Sequence, residues 1–187
     1  ELAALGCVFM VSAVESLSDT VLANLGKGHT RAGIFEALRI VRDAGIALRP
    51  TWVAFTPWTA LEDYLDVIEF VQAEQLIDNV DPVQYTIRLL IPPGSALLDR
   101  PEIEPHLGPL DQALFMHRWT HPDTRMDDLQ QAVSRAVERA AESGADPRAT
   151  FETVRALAYA AAGREPPPAI PFPEGSRAPR LTEPWFC

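Results

Sequence analysis

The side chains best placed to do chemistry in this sequence lie at the ends of apolar runs. Glu15 and Ser16 close the run 7–14, CVFMVSAV. In a strand, a period of two puts Glu15 on the same face as Val11 and Ala13, and parallel α/β barrels gather function at the C-terminal ends of their strands. A small residue ahead of the carboxylate leaves room for a ligand. The alternative is a solvated glutamate that opens a loop. In 83–91, VQYTIRLLI, Val83, Tyr85, Ile87 and Leu89 alternate with Gln84, Thr86 and Arg88. An arginine turned into a barrel lumen needs an anion, which Glu15 or a ligand carboxylate would supply. An edge strand with one wet face would give the same alternation.

Other reactive types are less well placed. His117 and His121 are four apart, but no third ligand accompanies them and Pro122 follows at once, so no metal is expected there. His29 is expected to make local hydrogen bonds. There is no phosphate-binding glycine motif, no Ser/His/Asp signature, and no lysine on an expected strand to serve as a Schiff base. Two cysteines, Cys7 and Cys187, stand at opposite ends of 187 residues and make no disulfide framework. With no signal peptide, this favours the cytosol. A formal charge of −10 argues against nucleic acid as a partner, and no apolar run is long enough for a membrane helix.

The elements that would position these groups follow from periodicity. Strands are expected at 7–14, 51–55 and 83–91. Helices are expected at 31–44, where Ile34, Leu38 and Val41 recur behind the cap Thr30 and Gly45 ends the helix, and at 61–74, with Leu61, Leu65, Ile68 and Val71 on one stripe. This β–α–β–α–β order implies parallel strands with crossover helices. A parallel sheet needs both faces covered, so further strands are expected ahead of Glu1. Residues 92–124 are Pro- and His-rich and expected to be irregular. Helices follow at 125–142 and, behind the pair Asp146-Pro147, to about residue 162. From Gly163 the chain is Pro-rich and expected to be extended.

Three segments carry a resemblance. AVESLSDTVLANLGKGHT, from Ala13 to Thr30, resembles the fourth-strand segment of radical S-adenosylmethionine (SAM) enzymes. That family commonly shows Gly-x-Glu-Ser-x-Ser-Asp-x-x-Leu, then a basic residue and His-Thr. Glu15, Ser16, Ser18, Asp19, Leu22, Lys27, His29 and Thr30 match, and Ala13 replaces the glycine. WVAFTPWTALEDY resembles the fifth strand and its loop, with departures at Ala54, Thr56, Pro57 and Trp58. RLLIPPGSALL resembles the sixth strand and its Pro-Gly-Ser exit. The C-terminal LTEPWFC is similar to the end of one group of the family, whose tail continues as Cys-Cys-Ala-Glu-Pro or Cys-selenocysteine-Ala-Glu-Pro.

The resemblance implies the second half of a partial six-stranded TIM-like barrel (fourth to sixth strands) over residues 1–98, an irregular connector at 99–124, a small helical extension at 125–163 and a tail at 164–187. It implies SAM and a 4Fe–4S cluster as cofactors. Electron transfer from a reductase through the cluster would cleave SAM to a 5′-deoxyadenosyl radical, which abstracts hydrogen from a small-molecule or peptide substrate. The cluster's Cys-x3-Cys-x2-Cys loop is absent from this sequence, so its ligands are expected in a preceding segment. By the resemblance, Glu15 and Ser16 belong to the SAM pocket, Lys27 pairs with the methionine carboxylate, and Val53 and Phe55 line the adenine side. Gln84 and Arg88 face the substrate lumen, and Cys187 is half of a redox pair. Two other readings stay open: a non-catalytic α/β module presenting a terminal thiol, and a SAM-independent barrel enzyme.

Overall fold

The computed structural model describes residues 1–171. The expectations for Cys187, and for the Pro-rich tail beyond residue 171, fall outside them. The first strand, β1, is Phe9–Glu15. A short helix α1 (Asp19–Asn24) and then α2 (Arg31–Asp43) follow, and β2 is Ala47–Trp52. The two strands pair in parallel, Phe9 opposite Ala47 and Ala13 opposite Thr51. The parallel crossover forms as expected, but β2 covers Ala47–Trp52 where the strand was expected at 51–55. The Thr30 side chain accepts from Gly33 N, and α2 turns its Ile34 and Leu38 onto the sheet.

The third expected strand is a correction. Residues Pro82–Thr86 form a 3-10 turn, and parallel pairing is limited to a bridge between Phe55 and Arg88. Phe55 N–H donates to the Ile87 carbonyl and Leu89 N–H to the Phe55 carbonyl. Pro82, at the first position of the turn, favours a helical start, and the turn carries Tyr85 into the core against Phe151, ring centroids 5.7 Å apart. Along most of β2, side chains replace the missing strand. Asn79 Nδ2 donates to the Leu48 carbonyl at 2.6 Å and Gln84 Oε1 accepts from Trp52 N–H at 2.9 Å. Pro50 sits between these on the same edge, where its lack of an N–H costs no ladder bond.

Helix α3 (Leu61–Ala73) lies over the sheet, with Asp63 accepting from Ala60 N–H at its start. Residues 92–124, expected to be irregular, contain an antiparallel hairpin, β3 (Leu107–Asp111) with β4 (Met116–Trp119). Asp111 holds its turn, accepting from Ala113 and Leu114 N–H and pairing with Arg118. The Arg118 bond keeps the Asp111 carboxyl below the usual carboxylate range. A depressed folded value means that this contribution is complete above the unfolded pKa of about 3.9 and fades as pH falls through the lower folded value. Protection of the amides in the turn 111–116, each exchange rate being compared with the intrinsic rate at the same pH, is therefore expected to fall on acidification below about pH 4, before the core opens. Unchanged protection there would refute it.

Helices α4 (Thr124–Ser143) and α5 (Pro147–Ala161) begin at the side-chain caps Asp123 and Asp146. They are not set apart. Leu129, Val133, Phe151, Val154 and Ala158 share one continuous core with Trp52, Phe55, Tyr64 and Ile68. The result is a mixed α/β architecture with small sheets and no closed barrel among the described residues. No described helix is long and apolar enough to cross a membrane.

Candidate functional site

The site is built where β1 ends. Its last residue, Glu15, has φ 67° and sits at an irregularity in the register with β2. The left-handed region is costly for a side chain with a Cβ. Two bonds hold it there: Val53 N–H donates to the Glu15 carbonyl and Ser16 N–H to the Val14 carbonyl, both at 2.9 Å. The consequence is that the Glu15 carboxylate meets Lys27, Nζ to Oε1 2.8 Å, with the side chains 15% and 32% exposed respectively.

The lysine arrives on its own rigid turn. Lys27 N–H bonds the Leu22 carbonyl and Gly26 N–H the Ala23 carbonyl, closing α1 through a left-handed Gly26 at φ 73°. His29 then bonds the Val14 carbonyl through Nε2 at 3.1 Å, a local role as expected. A cavity of about 210 Å³ borders His29, between Ser12, Ala13 and Val14 of β1 and Gly33 and Ala37 of α2.

The sequence-expected residues divide. Glu15 and Lys27 come together, with Val53 beside them through its backbone. Val53 packs with Leu25, Trp58, Leu97 and Leu98 around Ile91 and Ile103, an apolar wall at this mouth. Ser16 is buried, and its Oγ accepts from Ser18 N–H. Phe55 is 1% exposed, its ring 4.8 Å from that of Tyr64 on the helix side. Neither side chain faces the mouth, because the irregularity at Glu15 and the alternation after Trp52 turn them into the core.

Gln84 is occupied by Trp52, as described above. Arg88 does not meet Glu15. Nη1 pairs with Asp127 at 2.6 Å, Nη2 donates to the Trp119 carbonyl, and the guanidinium lies 3.5 Å from the centre of the Trp119 ring. Asp127 comes from the first turn of α4, and the sequence alternation around Arg88 carries no trace of it.

The two histidines four apart serve separate tasks. His117 contacts the Gly108 carbonyl, whereas His121 bridges Asp123 and the Thr59 carbonyl. A concavity of about 450 Å³ beside His121 is lined by Glu62, Asp123 and Arg125, whose charges are taken by Arg164 and by each other. Cys7 Sγ bonds the Phe9 carbonyl, and no group of three or more metal-ligating side chains occurs among the described residues.

Sequence reasoning missed Leu25 at the end of α1, and Leu97, Leu98 and Arg100, which the segment after Leu89 folds back toward it. The run PPGSALLDR signalled only a turn. No protein-family model, no curated protein and no solved structure matches this chain.

Proposed function

We propose that this chain is the C-terminal part of a cytosolic radical SAM enzyme, and that Glu15 and Lys27 hold part of its SAM pocket. The observation that carries the reading is the Glu15–Lys27 pair, held by a strained backbone at the C-terminal end of a parallel strand. Strain of this kind clusters at ligand sites. A carboxylate suits the hydroxyls or ammonium of such a ligand, an ammonium suits its carboxylate, and the wall of Val53, Leu25 and Trp58 suits an adenine face. SAM, when bound, supplies the group that abstracts hydrogen from substrate.

The described residues do not fit a 4Fe–4S cluster: Cys7 stands alone and is turned back on its own strand. Its ligands, on this reading, belong to a segment that pairs with the outer edge of β1. That edge has the properties a further parallel strand needs. β1 pairs with β2 on one side, and Val8 and Val11 are more than half exposed. A reductase and a small-molecule or peptide substrate complete the proposed set of partners.

Calorimetric titration of SAM into the complete enzyme tests the reading. We expect saturable binding, weakened roughly tenfold in Lys27→Met, the loss of one charge-assisted hydrogen bond. Binding that is absent in the wild type, or equal in the variant, would sink it. Codons upstream of Glu1 provide an independent check, since a Cys-x3-Cys-x2-Cys triplet is expected there. Codons after Cys187 test the redox tail: a TGA or Cys codon followed by Ala-Glu-Pro supports it, and an unrelated stop removes it.

A further inference from the structure

Among the described residues, partly buried cations are paired with carboxylates, with one exception. Arg49, Arg88 and Arg155 each have an acidic partner, and so does Lys27. Arg135 and Arg139 have none but are exposed on α4. Arg100 is half-buried and has no acidic partner among the described residues. Its side-chain hydrogen bond is from Nη1 to the Ala23 carbonyl at 3.2 Å, which occupies one of five donors.

Its position is specific. A Cβ on Gly26 would lie 2.5 Å from Arg100 Nη2, so the guanidinium lies directly against the glycine that precedes Lys27. The turn that delivers it, Ala96–Asp99, packs Leu97 and Leu98 onto the same wall as Leu25 and Val53. Trp58 Nε1 donates to the Glu102 carbonyl and ties down the other side of this segment. Two anchors therefore hold a guanidinium with no acidic partner among the described residues against Gly26, the chain neighbour of Lys27.

We infer that Arg100 binds the anionic group, a carboxylate or a phosphate, of the substrate that reacts at this mouth. The assignment of that molecule as substrate rests on the function proposed above. A planar guanidinium with free parallel donors suits either oxyanion. Glu15 and Lys27 neutralise each other, whereas Arg100 forms no ion pair among the described residues.

The test is an NMR titration of the full-length protein, without SAM, with sodium acetate and, separately, sodium phosphate, against sodium chloride at matched ionic strength. The Arg100 Nε–H and the Gly26 and Lys27 amides are expected to shift along a saturable curve, with an apparent Kd on the order of 1–10 mM. Saturation by acetate alone marks a carboxylate substrate, and by phosphate alone a phosphorylated one. Arg100→Met should abolish the curve.

Shifts no larger than those in chloride, or the same curve in Arg100→Met, would overturn the assignment, and the wild-type arm does so even if the variant fails to fold. SAM is absent from this titration, so a failed SAM reading leaves its outcome unaffected. In the calorimetric assay Arg100→Met is expected to bind SAM as the wild type does. A loss matching that of Lys27→Met would assign Arg100 to SAM and overturn its role toward substrate.

Discussion

Phe55→Ala is expected to destabilise the fold by about 3–5 kcal/mol, the usual cost of emptying a buried aromatic site. The ring is 1% exposed, tilted against Tyr64 at 4.8 Å between centroids, and part of the core that joins the sheet to α3, α4 and α5. The backbone of Phe55 carries the bridge to Ile87 and Leu89, and those bonds do not depend on its side chain. The loss should therefore come from the cavity and lost packing rather than from the ladder. Urea denaturation measures it, and a change below about 1.5 kcal/mol would place the ring outside the core. The resemblance casts Phe55 as an adenine neighbour, and a large stability loss would mark it instead as a core residue.

Glu15→Ala in the complete enzyme is expected to weaken SAM binding about 5- to 150-fold, or ~1–3 kcal/mol, as when a hydrogen-bonding group facing a ligand is removed. Two effects combine in the wild-type residue. The carboxylate neutralises Lys27 at 2.8 Å, and the φ of 67° aims it away from the strand axis. Glu15→Gly separates them, because glycine adopts this backbone without strain. It should raise stability relative to Glu15→Ala while binding SAM no better. Calorimetry on both variants, with folding checked by circular dichroism, decides the matter. Wild-type affinity in Glu15→Ala would remove Glu15 from the pocket.

The parts of the fold that were legible in the sequence are those written in short-range chemistry. Thr30 and the pair Asp146-Pro147 start helices at the positions their side chains suggest, and the helix expected at 125–142 is observed as Thr124–Ser143. The parallel sense of β1 and β2 follows from the length of the crossover between them. Glu15 was legible as a strand-end carboxylate for the same reason: alternation and a small neighbour are visible within a few residues.

The partners of the site were decided by contacts distant in the chain. Arg88 is satisfied by Asp127, 39 positions away, and Arg100 reaches the Ala23 carbonyl, 77 positions away. The alternation in 83–91 predicted a full strand. Pro82 and the burial of Tyr85 against Phe151 instead favour a 3-10 turn, and Asn79 and Gln84 satisfy the edge of β2 in its place. Periodicity records which face of a segment is apolar, but not which neighbour covers it. The sequence by itself thus determined the four longer helices, the parallel pair and the carboxylate at the end of β1, but not the short α1. Only the tertiary structure decided that Lys27 neutralises that carboxylate and that Arg100 has no counter-charge among the described residues, because ion pairing depends on distances that the chain sets only once it has folded back on itself.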